Sequence, residues 1–108
     1  MASEPAKTGE VIDVKPLGPQ LKTAKTTTLL ETDGLKVVRL VVPAGKEIPS
    51  HRARGEITVQ CLEGRVVFRA GTTDHELAAG QLLHLAAHEE HALRGVADAS
   101  LLVTIVLR

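Results

Sequence analysis

The sequence predicts a single all-β domain built from two packed antiparallel sheets. Short stretches rich in Val, Leu, Ile and Thr alternate with Gly, Pro and Asp turn residues roughly every 8 to 12 positions. The sequence carries no sustained helical period and no internal repeat. Its 108 residues suit one domain, and we expect a flexible tail over residues 1–9 and a single barrel domain over residues 10–108.

Composition narrows the classes of partner. The 13 basic and 13 acidic residues balance and form no basic cluster, so we expect no nucleic-acid partner. Phe68 is the only aromatic residue, so the core must be built from Leu, Val, Ile and Ala. No apolar run approaches the roughly 20 residues of a membrane helix, and the N-terminus lacks a basic start followed by an apolar block. With Cys61 as the lone cysteine, these features favour a cytoplasmic protein with no membrane partner.

The N-terminal third of the chain holds the first predicted strands. Residues 10–14 alternate in polarity and predict a short strand. Residues 15–25 contain two prolines and a glycine, which argues against regular structure there. Residues 26–32 are β-branched and predict a second strand, which the Asp33–Gly34 turn joins to the next as a hairpin.

The middle of the chain contains the clearest alternating strand. Residues 35–42 are β-rich, and residues 43–55 hold two prolines and two glycines that predict a long bent loop. In residues 56–62, Ile57, Val59 and Cys61 share one face of a strand. Glu56, Thr58 and Gln60 share the opposite face.

The C-terminal half predicts five further short strands separated by turns. The Glu63–Gly64 pair turns the chain after the alternating strand, and Gly80 marks a later break. The last stretch is apolar on both faces, which predicts a buried strand. The five stretches are residues 65–69, 75–79, 82–86, 91–96 and 99–108.

Two spaced motifs over residues 35–107 resemble the small single-domain cupins of the RmlC-like type. Gly45, five residues and then His51 match the start of the first cupin motif, and Gly64 matches its end. Gly80 and His91 match the first glycine and the histidine of the second motif. In that motif Ala86 stands where the family has proline, and His88 stands where it has glycine. The resemblance implies a cupin-like jelly-roll β-barrel of two packed antiparallel sheets.

The metal-ligand set that the resemblance implies is incomplete in this chain. Metal-binding cupins use two histidines and a glutamate from the first motif and one histidine from the second. Ile57 stands at the glutamate position and Ala53 at the second histidine, so His51 and His91 remain. Two imidazoles are too few for a typical zinc or iron site. A divalent Fe, Zn, Ni or Mn ion would therefore need a third ligand. The candidates for it are Glu56, Cys61 and His84.

We therefore expect no cofactor and a pocket that is largely apolar. The expected lining residues are Ile57, Val59, Cys61, Val66 and Phe68, with His51 and His91 as the polar points. The leading hypothesis is a metal-independent barrel that binds a small molecule. The alternatives are a metal-dependent dioxygenase or isomerase with a reduced ligand set, or a structural barrel without a pocket. By the same resemblance, a homodimer is expected.

Overall fold

The chain folds as nine strands and one short 3₁₀ helix in a computed structural model, which describes residues 4–107. Residues 1–3 of the predicted tail, and Arg108 at the end of the last predicted strand, lie outside the described residues. The 3₁₀ helix spans Gly18–Thr23. The strands are β1 Thr27–Glu31, β2 Leu35–Val42, β3 Glu47–His51, β4 Ile57–Glu63, β5 Arg65–Ala70, β6 Thr73–Ala78, β7 Leu82–Leu85, β8 His91–Gly95 and β9 Ala99–Val106.

The strands form two antiparallel sheets, which confirms the predicted jelly-roll architecture. Sheet A has five strands in the order β1-β2-β9-β4-β7, and sheet B has four in the order β3-β8-β5-β6. At the centre of sheet A, β2 and β9 pair over their full length, from Leu35 opposite Val106 to Val42 opposite Ala99. Because consecutive strands often lie in different sheets, the chain crosses repeatedly between the two layers and joins them into one barrel.

One end of the barrel is filled by aliphatic side chains from both sheets. Alternation along β4 turns Ile57, Val59 and Cys61 inward, as the sequence predicts. The last strand is buried only at its start, from Ala99 to Leu101, and is half-buried beyond it. The filled end consists of Val42, Cys61, Val66, Leu77, Ala99 and Leu101, each less than 5 % exposed.

The prediction of a strand over residues 10–14 is wrong. This segment has no strand partner, and the Asp13 carbonyl within it is bonded to a side chain instead. The guanidinium of Arg39, buried on the outer face of β2, donates to Lys15 O at 3.0 Å and to Asp13 O at 3.2 Å. A bidentate donor of this kind satisfies carbonyls that a strand ladder would otherwise occupy.

The sequence predicts no regular structure over residues 15–25, but the structure has the 3₁₀ helix there. A proline in the first turn of the 3₁₀ helix presets the backbone angle that a helix needs, and its missing N–H costs nothing there. The carboxylate of Glu63 accepts the Leu17 N–H at 2.8 Å and the Gly18 N–H at 3.0 Å. The segment is thus fixed at its start by a side chain that lies 45 residues away along the chain.

The long loop predicted over residues 43–55 contains β3. A proline inside a strand lacks a ladder donor and is tolerated at a sheet edge, and Pro49 lies in β3 at the edge of sheet B. Towards the N-terminus, Ala6 N–H donates to Leu29 O at 2.8 Å, so the chain is tied to edge strand β1 within the predicted tail. Among residues 4–107, no helix has the length and apolar character needed to cross a membrane.

Candidate functional site

The end of the barrel opposite the filled core encloses a cavity of about 290 Å³ between the two sheets. The inward residues of β2, β4 and β9 form one wall, and those of β3, β5 and β8 form the other. With Phe68 as its only aromatic side chain, the interior lacks the bulk to close this end. The lining residues are Val38, Leu40, Ile48, His51, Ala53, Ile57, Val59, Phe68, His91, Leu93, Val103 and Ile105.

Two histidines are the only polar side chains that residues 4–107 contribute to the lining of this cavity. His51 ends β3 and His91 begins β8, and antiparallel pairing sets them opposite each other. A register irregularity between Ile48 and His51 turns the end of β3 towards the cavity mouth. The two ring centroids are 4.2 Å apart with the ring planes at 62°. His91 is buried, whereas His51 is exposed at the rim.

The backbone sets which nitrogen of each imidazole carries the proton. His51 Nδ1 lies 3.0 Å from Pro49 O, and His91 Nδ1 lies 3.1 Å from Glu89 O. A carbonyl oxygen only accepts, so each neutral ring donates from Nδ1 and leaves Nε2 as an acceptor. Both rings are therefore held in the tautomer that offers a lone pair from the outer ring nitrogen.

Burial lowers the pKa of His91 below its ordinary value of 6.5. Loss of water around the ring is the largest cause, since it penalises the imidazolium. The hydrogen bond to Glu89 O acts in the opposite direction, and repulsion from His51 lowers the pKa further. The ring also stacks on Phe68 at a centroid distance of 5.8 Å and an angle of 11°. His91 is thus a neutral acceptor at pH 7.

The three predicted candidates for a third metal ligand lie apart from the histidine pair. Glu56 Oε1 and His84 Nε2 are 2.9 Å apart, and both side chains are exposed. His84 pairs with Thr58 while the neighbouring pair, Ile57 and Leu85, is buried, so alternation places His84 on the outer face of sheet A. Because Glu56 bonds to His84, it faces outward as well.

Cys61, the remaining candidate ligand, lies in the filled end of the barrel. Its thiol donates to Glu63 O at 3.4 Å, and burial raises the pKa of the thiol above its ordinary value. Among residues 4–107, no three His, Cys, Asp or Glu side chains are grouped so that they could hold a metal ion. The fold thus brings His51 and His91 together. It places none of the three candidates for a third ligand beside them.

Five of the seven residues predicted to line the pocket do so: His51, His91, Ile57, Val59 and Phe68. Cys61 and Val66 point inward but lie in the filled end, where neighbouring side chains leave no free volume. Their strands extend past the floor of the cavity. Alternation predicts which face of a strand points inward, but it does not predict how far along the barrel axis a residue lies.

Seven lining residues were not predicted from the sequence. Val38 and Leu40 alternate with outward residues on β2, and Val103 and Ile105 do so on β9, so period-two patterning was available as a signal. Ile48 and Ala53 belong to the segment that the sequence predicts as a loop, so no inward face was assigned to them. Leu93 lies in the predicted strand over residues 91–96, and its face was not assigned.

The outer face of sheet B carries a second concavity, of about 380 Å³. It is shallow and lined by exposed charges, among them Arg69, whose Nε lies 2.8 Å from Asp74 Oδ1. Val67 and Ala92 form its floor. Cross-strand ion pairs of this kind are ordinary on a solvent-facing sheet.

Comparison with known proteins agrees with this architecture. The sequence model of the cupin domain matches residues 38–107, which is more than half of the chain. No protein in the curated set is a significant match.

Solved structures with the same fold are numerous. A conserved protein of unknown function from Streptococcus pyogenes is 21 % identical with a TM-score of 0.76, covering 100 % of this chain and 96 % of that one. A cupin superfamily protein from Desulfitobacterium hafniense is 17 % identical with a TM-score of 0.78, covering 95 % and 100 %. An RmlC-like cupin family protein with a double-stranded β-helix fold, from Methanocaldococcus jannaschii, is 15 % identical with a TM-score of 0.74, covering 91 % and 93 %. At these identities the likeness establishes the fold alone.

Proposed function

This chain belongs to the cupin domain family, and we propose that it is a barrel that binds a small, largely apolar molecule without a metal ion. One observation carries the proposal: a cavity of about 290 Å³ with apolar walls and two adjacent imidazoles at its mouth. Ligand sites are typically concave and mostly apolar, with a few polar groups that fix orientation. A filled structural barrel would not keep this volume open.

The first test asks whether the cavity takes up an apolar probe. Indole is titrated into ¹⁵N-labelled protein, and we expect amide shifts that cluster at residues around the cavity. Val103→Phe places a ring in the cavity and should reduce the indole affinity at least tenfold. Thr104→Phe, one position along β9 and on the outer face, is the matched control and should bind as the native protein does. Indole shifts confined to the outer face of either sheet would refute a cavity binder.

A metal-dependent cupin is the second candidate function. The observation in its favour is that both imidazoles keep Nε2 as a lone-pair donor while their rings lie 4.2 Å apart. A metal held by these two residues would take its remaining ligands from water or substrate, and could act as a Lewis acid on a bound oxygen. Such a set has one protein ligand fewer than a typical catalytic zinc site.

Elemental analysis separates the two candidates. Untagged protein is incubated with Fe(II), Zn(II), Ni(II) or Mn(II), desalted, and compared with the His51→Ala/His91→Ala double variant. Metal at near-stoichiometric amounts in the native protein but not in the variant would overturn the metal-independent proposal. Equal and trace amounts in both proteins would support it. The homodimer and the cytoplasmic location expected from the sequence stay predictions.

A further inference from the structure

We infer that the cavity selects an uncharged molecule with an apolar body and a hydroxyl or N–H group that donates to the paired imidazoles. The inference rests on the proposed binding function and names the class of ligand for that site. Its basis is the polarity of the cavity wall, which offers hydrogen-bond acceptors at one point and apolar surface elsewhere.

The acceptor character of the site follows from the backbone bonds at Nδ1. With those protons committed to Pro49 O and Glu89 O, each neutral ring can only accept at Nε2. Among residues 4–107, no buried side-chain nitrogen or oxygen lacks a hydrogen-bond partner. No protein group in that range bonds to His91 Nε2, so this atom must reach open space although the residue is buried. The open space that its ring lines is the cavity.

The cavity offers nothing to an anionic ligand. Among its described lining residues there is no lysine or arginine, and none carries a hydroxyl or an amide side chain. Next to His51 in the chain, Arg52 points its Nη2 to within 4.0 Å of Glu90 Oε1, so its charge is partly offset by that carboxylate. A carboxylate or an ammonium group that moves into apolar surroundings without an opposite charge loses its hydration and gains no ion pair in return. An ionised ligand is therefore excluded in favour of a neutral one.

The cavity volume sets the size of the ligand. A cavity of about 150 Å³ accommodates benzene, so about 290 Å³ leaves room for a single ring with one or two small substituents, or for a short-chain alcohol. Phe68 and His91 stack nearly in parallel at the wall, and an aromatic guest can pack against this pair. A substituted phenol combines the required donor, neutrality and size.

Three probes of nearly equal shape test the inference in native protein at pH 7.5. They are p-cresol, which donates; p-xylene, which has a methyl group in place of the hydroxyl; and p-toluate, which is ionised. One hydrogen bond is worth about 0.5 to 1.5 kcal/mol, so we expect p-cresol to bind roughly 2- to 13-fold more tightly than p-xylene. We expect p-toluate to bind at least tenfold more weakly than p-xylene. Affinities come from NMR titration of the amides around the cavity.

A matched pair of variants assigns the selectivity to the histidines. His91→Phe keeps an aromatic ring next to Phe68 but removes the acceptor, and should reduce the preference for p-cresol over p-xylene. His84→Phe, on the outer face of sheet A, should keep the native preference. The His91→Phe protein is compared with native protein by its amide spectrum to establish that it is folded.

The outcomes separate the two proposals. If p-cresol and p-xylene bind the cavity equally, the inferred ligand class is wrong while the cavity remains a binder. Tighter binding of p-toluate would also overturn the ligand class, because it requires a cationic group in the site. If none of the three probes nor indole shifts the cavity amides, the proposed binding function itself fails, and the inferred ligand class fails with it.

Discussion

His51 and His91 face each other across the β3–β8 pairing, with ring centroids 4.2 Å apart. Each ring is anchored at Nδ1 by the carbonyl oxygen two residues before it in the chain, Pro49 O for one and Glu89 O for the other. The same local motif thus orients both imidazoles on two different strands. The pair is fixed by backbone geometry before any ligand arrives, which favours tight and selective binding.

The first prediction is a loss of stability in mild acid that comes from His91. Its pKa is lowered in the folded state, so the unfolded chain takes up a proton first as the pH falls through about 6.5. The contribution of His91 to the free energy of unfolding should therefore be at its maximum above that pH. It should decline below it, by at most about 1.4 kcal/mol per pH unit for one group, and level off below the lowered folded pKa.

Urea unfolding at pH 5 to 8 measures this dependence. His91→Gln removes the titrating group and should flatten the curve over that range. His75→Gln, in exposed strand β6, is the control and should leave the slope as it is. A native curve without a slope between pH 7 and 5 would contradict the assignment of a buried neutral imidazole.

The second prediction concerns His88, whose φ of 66° lies in the left-handed region that favours glycine. The left-handed conformation costs a residue with a Cβ about 1 to 2 kcal/mol. Glycine avoids this cost, but part of the gain is lost because glycine also makes the unfolded chain more flexible. His88→Gly should therefore stabilise the protein by about 0.5 to 1 kcal/mol and raise its Tm by a few degrees. His75→Gly, in a regular strand, should lower the Tm. A fall in Tm for His88→Gly would mean that the imidazole has a stabilising contact.

The third prediction separates two glycines that both have a positive φ. Gly64 and Gly80 have φ values of 78° and 89°. A Cβ at Gly64 would overlap Asp98 O and the backbone of Ala99, whereas a Cβ at Gly80 would meet open space. Gly64→Ala should cost more than about 2 kcal/mol beyond the cost of Gly80→Ala, since the β9 backbone would have to move. Equal losses in urea unfolding would show that the turn relaxes without strain.

The fourth prediction tests how Glu63 holds the N-terminal segment. Burial by itself would raise the pKa of Glu63, but hydrogen bonds from Leu17 N–H, the Ser100 hydroxyl and Gly18 N–H, together with Arg39, bring it below its ordinary value. In Glu63→Gln, the side-chain NH₂ group would face the N–H of Leu17 or Gly18, so one donor would lose its acceptor. The free energy of unfolding should fall by about 1 to 3 kcal/mol. Amide hydrogen exchange at Leu17 and Gly18 should become faster by tenfold or more.

Glu56→Gln is the control for this exchange measurement, because Glu56 is exposed and bonds to His84 instead. Unchanged protection at Leu17 and Gly18 in the Glu63→Gln protein would mean that packing, and not the carboxylate, fixes the segment.

The sequence by itself determined the architecture and the inward faces of several strands. Period-two alternation identified Ile57 and Val59 as inward residues, and the resemblance to cupins, carried by the spaced glycines and histidines, implied that His51 and His91 share one pocket. Even the motif position at which His88 replaces glycine proved to need a left-handed backbone. Alternation is a local pattern and the motifs are short, so one sequence is enough to reveal both.

Only the tertiary structure decided how deep the pocket reaches and what holds the N-terminal segment. Cys61 and Val66 have the same inward orientation as Val59, yet they lie in the filled end, because free volume depends on packing between sheets. Residues 10–14 form no strand, and Arg39 bonds to the Asp13 carbonyl among them. Glu63, from a distant strand, accepts the N–H groups at the start of the 3₁₀ helix. Long-range hydrogen bonds and interior volume are properties of the assembled barrel, and no local pattern in the sequence encodes them.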